Sequence, residues 1–235
     1  MNPECRAPEG RKTGHRQFAV IGLGRFGQRV ATGLYQMGAE VLAVDTDAAK
    51  VAAIKQEVTA AVCLDTAHEE ALASLGVDNM DAVVVAIGRD VQASILTTAL
   101  LQQAGCPYIV ARASNELHAQ ILGMVGANRV IYPEDEAARR LVRGLASPHI
   151  LDQVDLEGDI ELAVLTVPQS FCGKSLIELG LRQNYTVNVV AIRTPETDTQ
   201  AATTIFPDAH YVLQPRDRLY VVGPAEGLRR VDGLD

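Results

Sequence analysis

Gly22, Gly24 and Gly27 form the run GLGRFG at the end of the apolar stretch Gln17 to Gly22, and Asp45 closes the next apolar stretch. Where a strand turns into a helix, this pattern serves one task, holding an adenosine phosphate. The first glycine makes the tight turn, and the second lets phosphate approach the N–H groups at the head of the helix. The third lets helix and strand pack closely. An acidic residue about 20 positions beyond the turn accepts hydrogen bonds from both ribose hydroxyls. Its charge also repels a ribose 2′-phosphate, which disfavours NADP and leaves NAD, ADP, ATP or AMP.

Other residues bear on that choice. Arg25 lies inside the turn, beside Phe26, at a helix start where the dipole does not favour a cation. Its guanidinium could hold the terminal phosphate oxygens that the esterified pyrophosphate of a dinucleotide does not present. This tilts the reading toward ATP and ADP. Thr46 follows the ribose aspartate, and Asp65 and Thr66 follow the third apolar run at the edge where adenine lies in such folds. For those two the competing role is a helix N-cap. Ile87 and Gly88 end the fourth run beside the phosphates. Arg112 ends the fifth as a second phosphate cation or a surface ion pair.

Residues suited to catalysis are missing. There is no Ser/His/Asp order, no carboxylate pair with a cleft and no metal-spaced His/Cys cluster. His68 and His118 read as surface residues. Cys5, Cys63, Cys106 and Cys172 form no CxxC pair, and Cys63 and Cys106 are expected to pack as small hydrophobes. All four are expected to be reduced thiols.

The elements that position these residues follow from periodicity. Strands are expected at Gln17 to Gly22, Val41 to Val44, Ala60 to Leu64, Ala82 to Ile87, Tyr108 to Ala111 and Arg129 to Tyr132, each separated by a helix-length segment. The first helix spans Arg25 to Met37 and ends at Gly38. This alternation specifies α/β architecture, a Rossmann-type doubly wound parallel sheet. An exit helix, Glu134 to Leu145, carries acidic residues at its start, and Ser147 and Pro148 break it.

Beyond Pro148 to Leu151 the pattern becomes that of a small α+β domain. Strands are expected at Ile160 to Val167 and Thr186 to Ile192 and a helix at Lys174 to Leu181. Tyr211 to Leu213 reads as an antiparallel partner of Leu219 to Val222, and the polar stretch Arg193 to Thr204 as an exposed loop. Three parts result: a disordered tail at 1–15, a nucleotide-binding domain at 16–148 and a C-terminal domain at 149–235. The last is near the lower size limit for an independent core and is expected to need a twin.

Composition agrees. Among 235 residues, 48% are hydrophobic and 4% aromatic with no Trp, so the core must be aliphatic, as in a sheet covered on both faces. Net charge is −8 without a basic stripe, which argues against nucleic acid as a partner. The longest apolar run, Ala82 to Ile87, is too short to span a bilayer, and the polar start carries no secretion signal. A cytoplasmic location is expected, and the protein is read as a regulator, not an enzyme.

QFAVIGLGRFG, EVLAVDTD, DAVVVAIG, QASILTTALL and GANRVIYPE together resemble the N-terminal RCK (KTN) domain of KtrA/TrkA-type potassium-uptake regulators, over Arg16 to about Leu145. Asp159 to Gly223 resembles the smaller C-terminal RCK domain. The resemblance implies a cytosolic gating subunit at the inner face of the plasma membrane. It would form a homo-oligomeric ring of dimers, typically an octamer, on an integral-membrane Ktr/Trk-type channel subunit. It implies Gly22, Gly24 and Gly27 on the phosphates, Asp45 on the ribose and Arg25 on the terminal phosphate of ATP. Glu134 matches an acidic residue at the dimer interface, associated with ATP and a divalent cation. Related C-terminal domains bind cyclic di-AMP, for which Leu176, Ile177, Arg182, Ile192 and Pro207 are the candidates. Gly180 and the Thr-rich stretch Arg193 to Thr204 depart from that pattern. The competing class is an NAD(H)-binding redox sensor or small NAD-dependent oxidoreductase using the same groove.

Overall fold

A computed structural model describes residues 16–156, 158–196 and 201–234. The expected tail, Cys5 and part of the Thr-rich loop lie outside the described residues. The chain divides between Pro133 and Glu134 into two compact units.

In the first unit, apolar runs of four to six residues become β1 (Gln17–Ile21), β2 (Glu40–Asp45), β3 (Ala60–Cys63), β4 (Ala82–Val85) and β5 (Ile109–Arg112), with the shorter β6 (Arg129–Ile131). They form one sheet in the order β3-β2-β1-β4-β5-β6, and every neighbouring pair is parallel. Successive side chains on a strand face opposite ways. Accordingly Ala19, Ile21, Val83 and Val85 enter one core with Leu101 and Leu122, while Val20 and Val84 enter another with Ala31, Val51 and Ile54. Covering both faces is what makes the strands continuously apolar. The connecting helices are α1 (Arg25–Gln36), α2 (Ala48–Ile54), α3 (Glu69–Ala73), α4 (Val91–Gln103) and α5 (Glu116–Met124). Strand order reverses between β1 and β4, and in open α/β sheets ligands bind beyond the strand ends at that point.

All of α6 (Pro133–Ala146) after its first residue belongs to the second unit, and Pro133 occupies a first-turn position that needs no N–H donor. The division falls ahead of the expected breakpoint at Pro148 because α6 is tied to β7 (Ile150–Asp155). Arg140 holds Asp152 and Arg143 holds Asp155, each through two hydrogen bonds. β8 (Ile160–Thr166), β9 (Asn188–Arg193), β10 (Thr204–Ile205) and β11 (Arg218–Pro224) complete an antiparallel sheet in the order β10-β9-β11-β8-β7. Its core gathers Leu165, Phe171, Ile192, Leu213, Leu219 and Leu228.

Several local expectations need correction. The helix expected over Lys174 to Leu181 is two short pieces, α7 (Leu176–Leu179) and α8 (Leu181–Asn184), separated by Gly180 at φ 54°. Tyr211 to Leu213 does not pair with Leu219 to Val222. Val212 makes a single bridge to Ser175, and β11 is flanked by β8 and β9. The polar-looking β7 and the charged α9 (Ala225–Asp232) went unrecognised. α9 is held where Asp232 Oδ1 accepts from the N–H groups of His149 and Ile150.

Candidate functional site

The turn after β1 brings the glycines to their expected tasks, each for a different reason. Gly22 sits at φ 96°, and a Cβ there would lie 2.9 Å from the Ile87 nitrogen, so the close approach of the β1 and β4 ends requires glycine. At Gly27 a Cβ would meet the Gly22 carbonyl oxygen at 1.9 Å, which makes this glycine a packing requirement of α1 on β1. Gly24 is different: its φ is −69° and a Cβ would meet nothing within 4 Å. Neither backbone conformation nor protein packing explains that glycine, and what it leaves open is the approach to the head of α1.

That head is an anion site in waiting. Gly24 is the N-cap with no side-chain cap, and the first turn holds no acidic residue. The initial N–H groups of α1 therefore keep their capacity and their partial positive charge. Arg25 is exposed at the first helical position, with no hydrogen bond or ion pair among the described residues. Phe26 is half-buried against the neighbouring core.

Asp45 is built into the same turn. Only 8% exposed, its carboxylate accepts from the Leu23 N–H at 2.6 Å and the Asp47 N–H at 2.8 Å. The two backbone bonds fix the carboxylate against the glycine loop. The Lys50 ammonium lies 3.2 Å from both oxygens. Lys50 was not anticipated from sequence; its signal was a cation five positions past the acid, on the first turn of α2 and within reach back over its N-cap.

Around this centre the other candidates fall at the strand ends. Ile87 and Gly88 follow β4, and the Arg112 guanidinium from the end of β5 lies on the bare face of Gly88, 2.0 Å from where a Cβ would stand. Glycine there makes room for the arginine. Thr46 is exposed, and its carbonyl oxygen accepts from the Cys63 thiol at 3.4 Å. Cys63 is thus exposed at the strand end, not packed as a small hydrophobe, whereas Cys106 is buried. Asp65 is exposed and accepts from the Ala67 N–H, while the buried Thr66 hydroxyl pairs with that of Thr97 at 3.0 Å. His68, not either of these, occupies the N-cap position of α3.

His118 corrects another expectation. It is 1% exposed, its Nδ1 accepts from the Ser114 N–H at 3.2 Å, and burial lowers its pKa from the ordinary imidazole value. The aliphatic cores flanking α5 enclose it, which a single histidine in a polar-looking helix did not reveal.

Glu134 is exposed in the acidic first turn of α6. Among the described residues no group of three or more His, Cys, Asp or Glu side chains gathers to hold a metal. In the second unit Ile177 is 59% exposed, Arg182 is exposed, and Leu176 and Pro207 are half-buried. Ile192 is 0% exposed inside the core, so it cannot touch a ligand without opening that core. On the same strand Val190 is exposed, at 41%.

Comparison with known proteins accounts for both units. The TrkA-N domain family matches residues 18–133 and the TrkA-C domain family residues 160–234. The chain is 35% identical over 217 residues to Ktr system potassium uptake protein C of Bacillus subtilis, covering 92% of this chain and 96% of that protein. It is equally identical, with the same coverage, to Ktr system potassium uptake protein A of Vibrio alginolyticus. The fold resembles the GsuK RCK domain, with a TM-score of 0.62 at 18% identity over 99% of this chain and 50% of that one. It also resembles the GsuK channel bound to NAD, at 0.63 and 17% over 97% and 41%. With both domain types present in order, and relatives aligned from end to end, the chain belongs to the TrkA-N/TrkA-C (RCK) family of regulatory subunits of Ktr/Trk-type potassium-uptake systems.

Proposed function

We propose that this protein is the nucleotide-dependent gating subunit of a Ktr/Trk-type potassium channel, reading ATP against ADP at the GLGRFG turn. One observation carries the reading. The carboxylate suited to ribose is bonded at 2.6 Å to the backbone of the loop whose uncapped helix head suits phosphate, and Gly24 leaves the approach open. Ribose and phosphate subsites are thus a single rigid piece.

Asp45 receives the ribose hydroxyls after the half-exposed Lys50 swings off the carboxylate. Arg25 meets the γ-phosphate that ADP lacks. Ile87, Gly88 and Arg112 border the phosphates, with Phe26, Thr46, Asp65 and Thr66 completing the surroundings. Glu134 at a dimer interface holds a divalent cation in the ATP state, and Leu176, Ile177, Arg182 and Pro207 border a cyclic di-AMP site between C-terminal domains. The subunit works in the cytoplasm as a ring of dimers, an octamer, on the inner face of its membrane channel. Moving a two-state ring from 1:99 to 99:1 takes about 5.5 kcal/mol of differential binding. Over about eight coupled sites that is roughly 0.7 kcal/mol each, within reach of one charge-assisted hydrogen bond.

A second reading has its own support: GsuK, of like fold, binds NAD, and the glycine turn and Asp45 suit NAD(H) equally. Arg25 separates the two. Calorimetry with ATP, ADP, NAD and NADH on the whole chain is expected to rank ATP and ADP first. Asp45→Ala should weaken all four, and Arg25→Ala should erase only the preference for ATP. Tight NADH binding without a response to ATP would establish the second reading. Equal potassium flux with ATP and ADP, in vesicles holding channel and subunit, would remove the gating mechanism.

A further inference from the structure

At one end of the second unit's sheet, Thr166, Arg218 and Arg193 stand in one row on β8, β11 and β9, and Thr204 of β10 continues it beyond Arg193. Directly opposed residues on antiparallel strands share a face, with Cβ atoms about 5 Å apart, and like charges so placed destabilise the pair. The preceding or following residues Leu165, Ile192 and Leu219 are wholly buried, so this row lies on the outer face. Arg216 joins the two arginines from the adjoining loop. Among the described residues no hydrogen bond or ion pair engages any of the three guanidinium groups. Two arginines so placed repel one another, and an anion between them would relieve that repulsion.

Thr166, Arg193, Arg216 and Arg218 line a cavity of 540 Å³, a size that suits a small metabolite. Asp217 lines it as well. Its Oδ2 accepts from the Tyr211 hydroxyl at 3.0 Å and the Gln214 N–H at 2.9 Å, while Oδ1 is buried with no donor. Asp217 as a whole is 1% exposed, so solvent does not satisfy that oxygen. Burial, with the hydrogen bond that it donates to Asp217, pushes the pKa of the Tyr211 hydroxyl up to about 12. With exposed Glu196 at the rim, three cations face two carboxylates. The cavity therefore suits a ligand carrying both an anionic group and a hydrogen-bond donor, and not a bare polyanion.

From this we infer a second ligand site, in the C-terminal domain, for a small soluble phosphate ester bearing a free hydroxyl or amino group. Its phosphate bridges Arg193 and Arg218, a fork geometry in which guanidinium groups bind phosphate oxygens in pairs. Its hydroxyl donates to Asp217 Oδ1, which ligand entry must uncover, since the structure closes that oxygen off from the cavity. None of the residues considered above for cyclic di-AMP lines this cavity, so the two sites are separate.

The test uses the full chain carrying Asp45→Ala, which disables the glycine-turn site, with ribose 5-phosphate as the probe in calorimetry. Binding is expected there, and adding Arg193→Gln with Arg218→Gln should weaken it about tenfold or more. Both arginines are exposed, and without ligand the substituted chain should melt at the same temperature as its parent or higher, since the like-charge pair is gone. Inorganic pyrophosphate, which lacks the donor, should bind more weakly than ribose 5-phosphate. Three results would overturn the inference: no heat with ribose 5-phosphate, equal affinity with and without the arginines, or stronger retention by phosphatidylglycerol vesicles than by the soluble ester. ATP affinity of a chain with intact Asp45 that carries Arg193→Gln with Arg218→Gln, measured in parallel, reports on the first site.

Discussion

Asp45 and His118 are polar side chains that the fold withdraws from water, with opposite consequences. The Asp45 carboxylate is met by two backbone N–H groups and by Lys50. His118 has Ser114 against Nδ1, but its buried Nε2 has no partner, so the neutral ring is favoured and its pKa falls below the usual value near 6.5. The stability consequence has a definite sign. Above about pH 6.5 the ring is neutral in both folded and unfolded chains, and its contribution is fully present. As pH falls below that value the unfolded chain takes up a proton that the folded chain resists, and stability declines until the lower folded pKa is passed. Urea unfolding at pH 7.5 and 5.5 should show a larger loss for the native chain than for His118→Asn. Equal losses would mean that His118 is not the group responsible. Sequence alone concealed this residue because burial of a lone histidine depends on which way α5 faces. Asp45 was legible because its place after a strand and a glycine turn follows from backbone geometry.

Elements differ in how fully the sequence specifies them. The inner parallel strands were readable because burial on both faces makes each a largely apolar run, and glycines punctuate the turns. β7 (ILDQVD) escaped notice since the aspartates that hold Arg140 and Arg143 of α6 dilute its apolar content. α9 (AEGLRRVD) is short and half charged, although Leu228 and Val231 anchor it in the core. Within the glycine turn itself, identical residues do separable work. Gly27→Ala drives a Cβ into the Gly22 carbonyl, backbone that cannot yield, and should cost about 1–3 kcal/mol in chemical denaturation. Gly24→Ala meets open space, and as an N-cap change it should alter stability by no more than about 1 kcal/mol. Its methyl group nevertheless stands where phosphate must approach, so nucleotide affinity should fall about tenfold in calorimetry. An unchanged affinity for Gly24→Ala would show that phosphate does not lie over that turn.

At the scale of the molecule, apolar surface left uncovered distinguishes this chain from one that works alone. No residue of α6 is buried, yet Leu141, Val142 and Leu145 are 63%, 61% and 78% exposed. Leu141 and Leu145 are four residues apart and so share a face, with Val142 beside them. Among the described residues nothing covers this apolar stripe, which suits it to contact with another chain. Arg140 and Arg143 are committed to β7, so the helix is fastened on its charged side and presents the leucines outward. This agrees with assembly through copies of the chain, which the small C-terminal domain also favours. Leu145→Glu places a charge in the stripe without disturbing the arginine pairs, and so should leave the thermal unfolding of the isolated chain near its native value. Light scattering should then report a smaller particle for Leu145→Glu than for the native protein at equal concentration. A native particle with the mass of one chain, or a substituted particle of undiminished mass, would place the association elsewhere. Since ring shape is the quantity that a bound nucleotide is proposed to bias, a chain kept small by this change should still bind ATP but fail to confer nucleotide dependence on potassium flux.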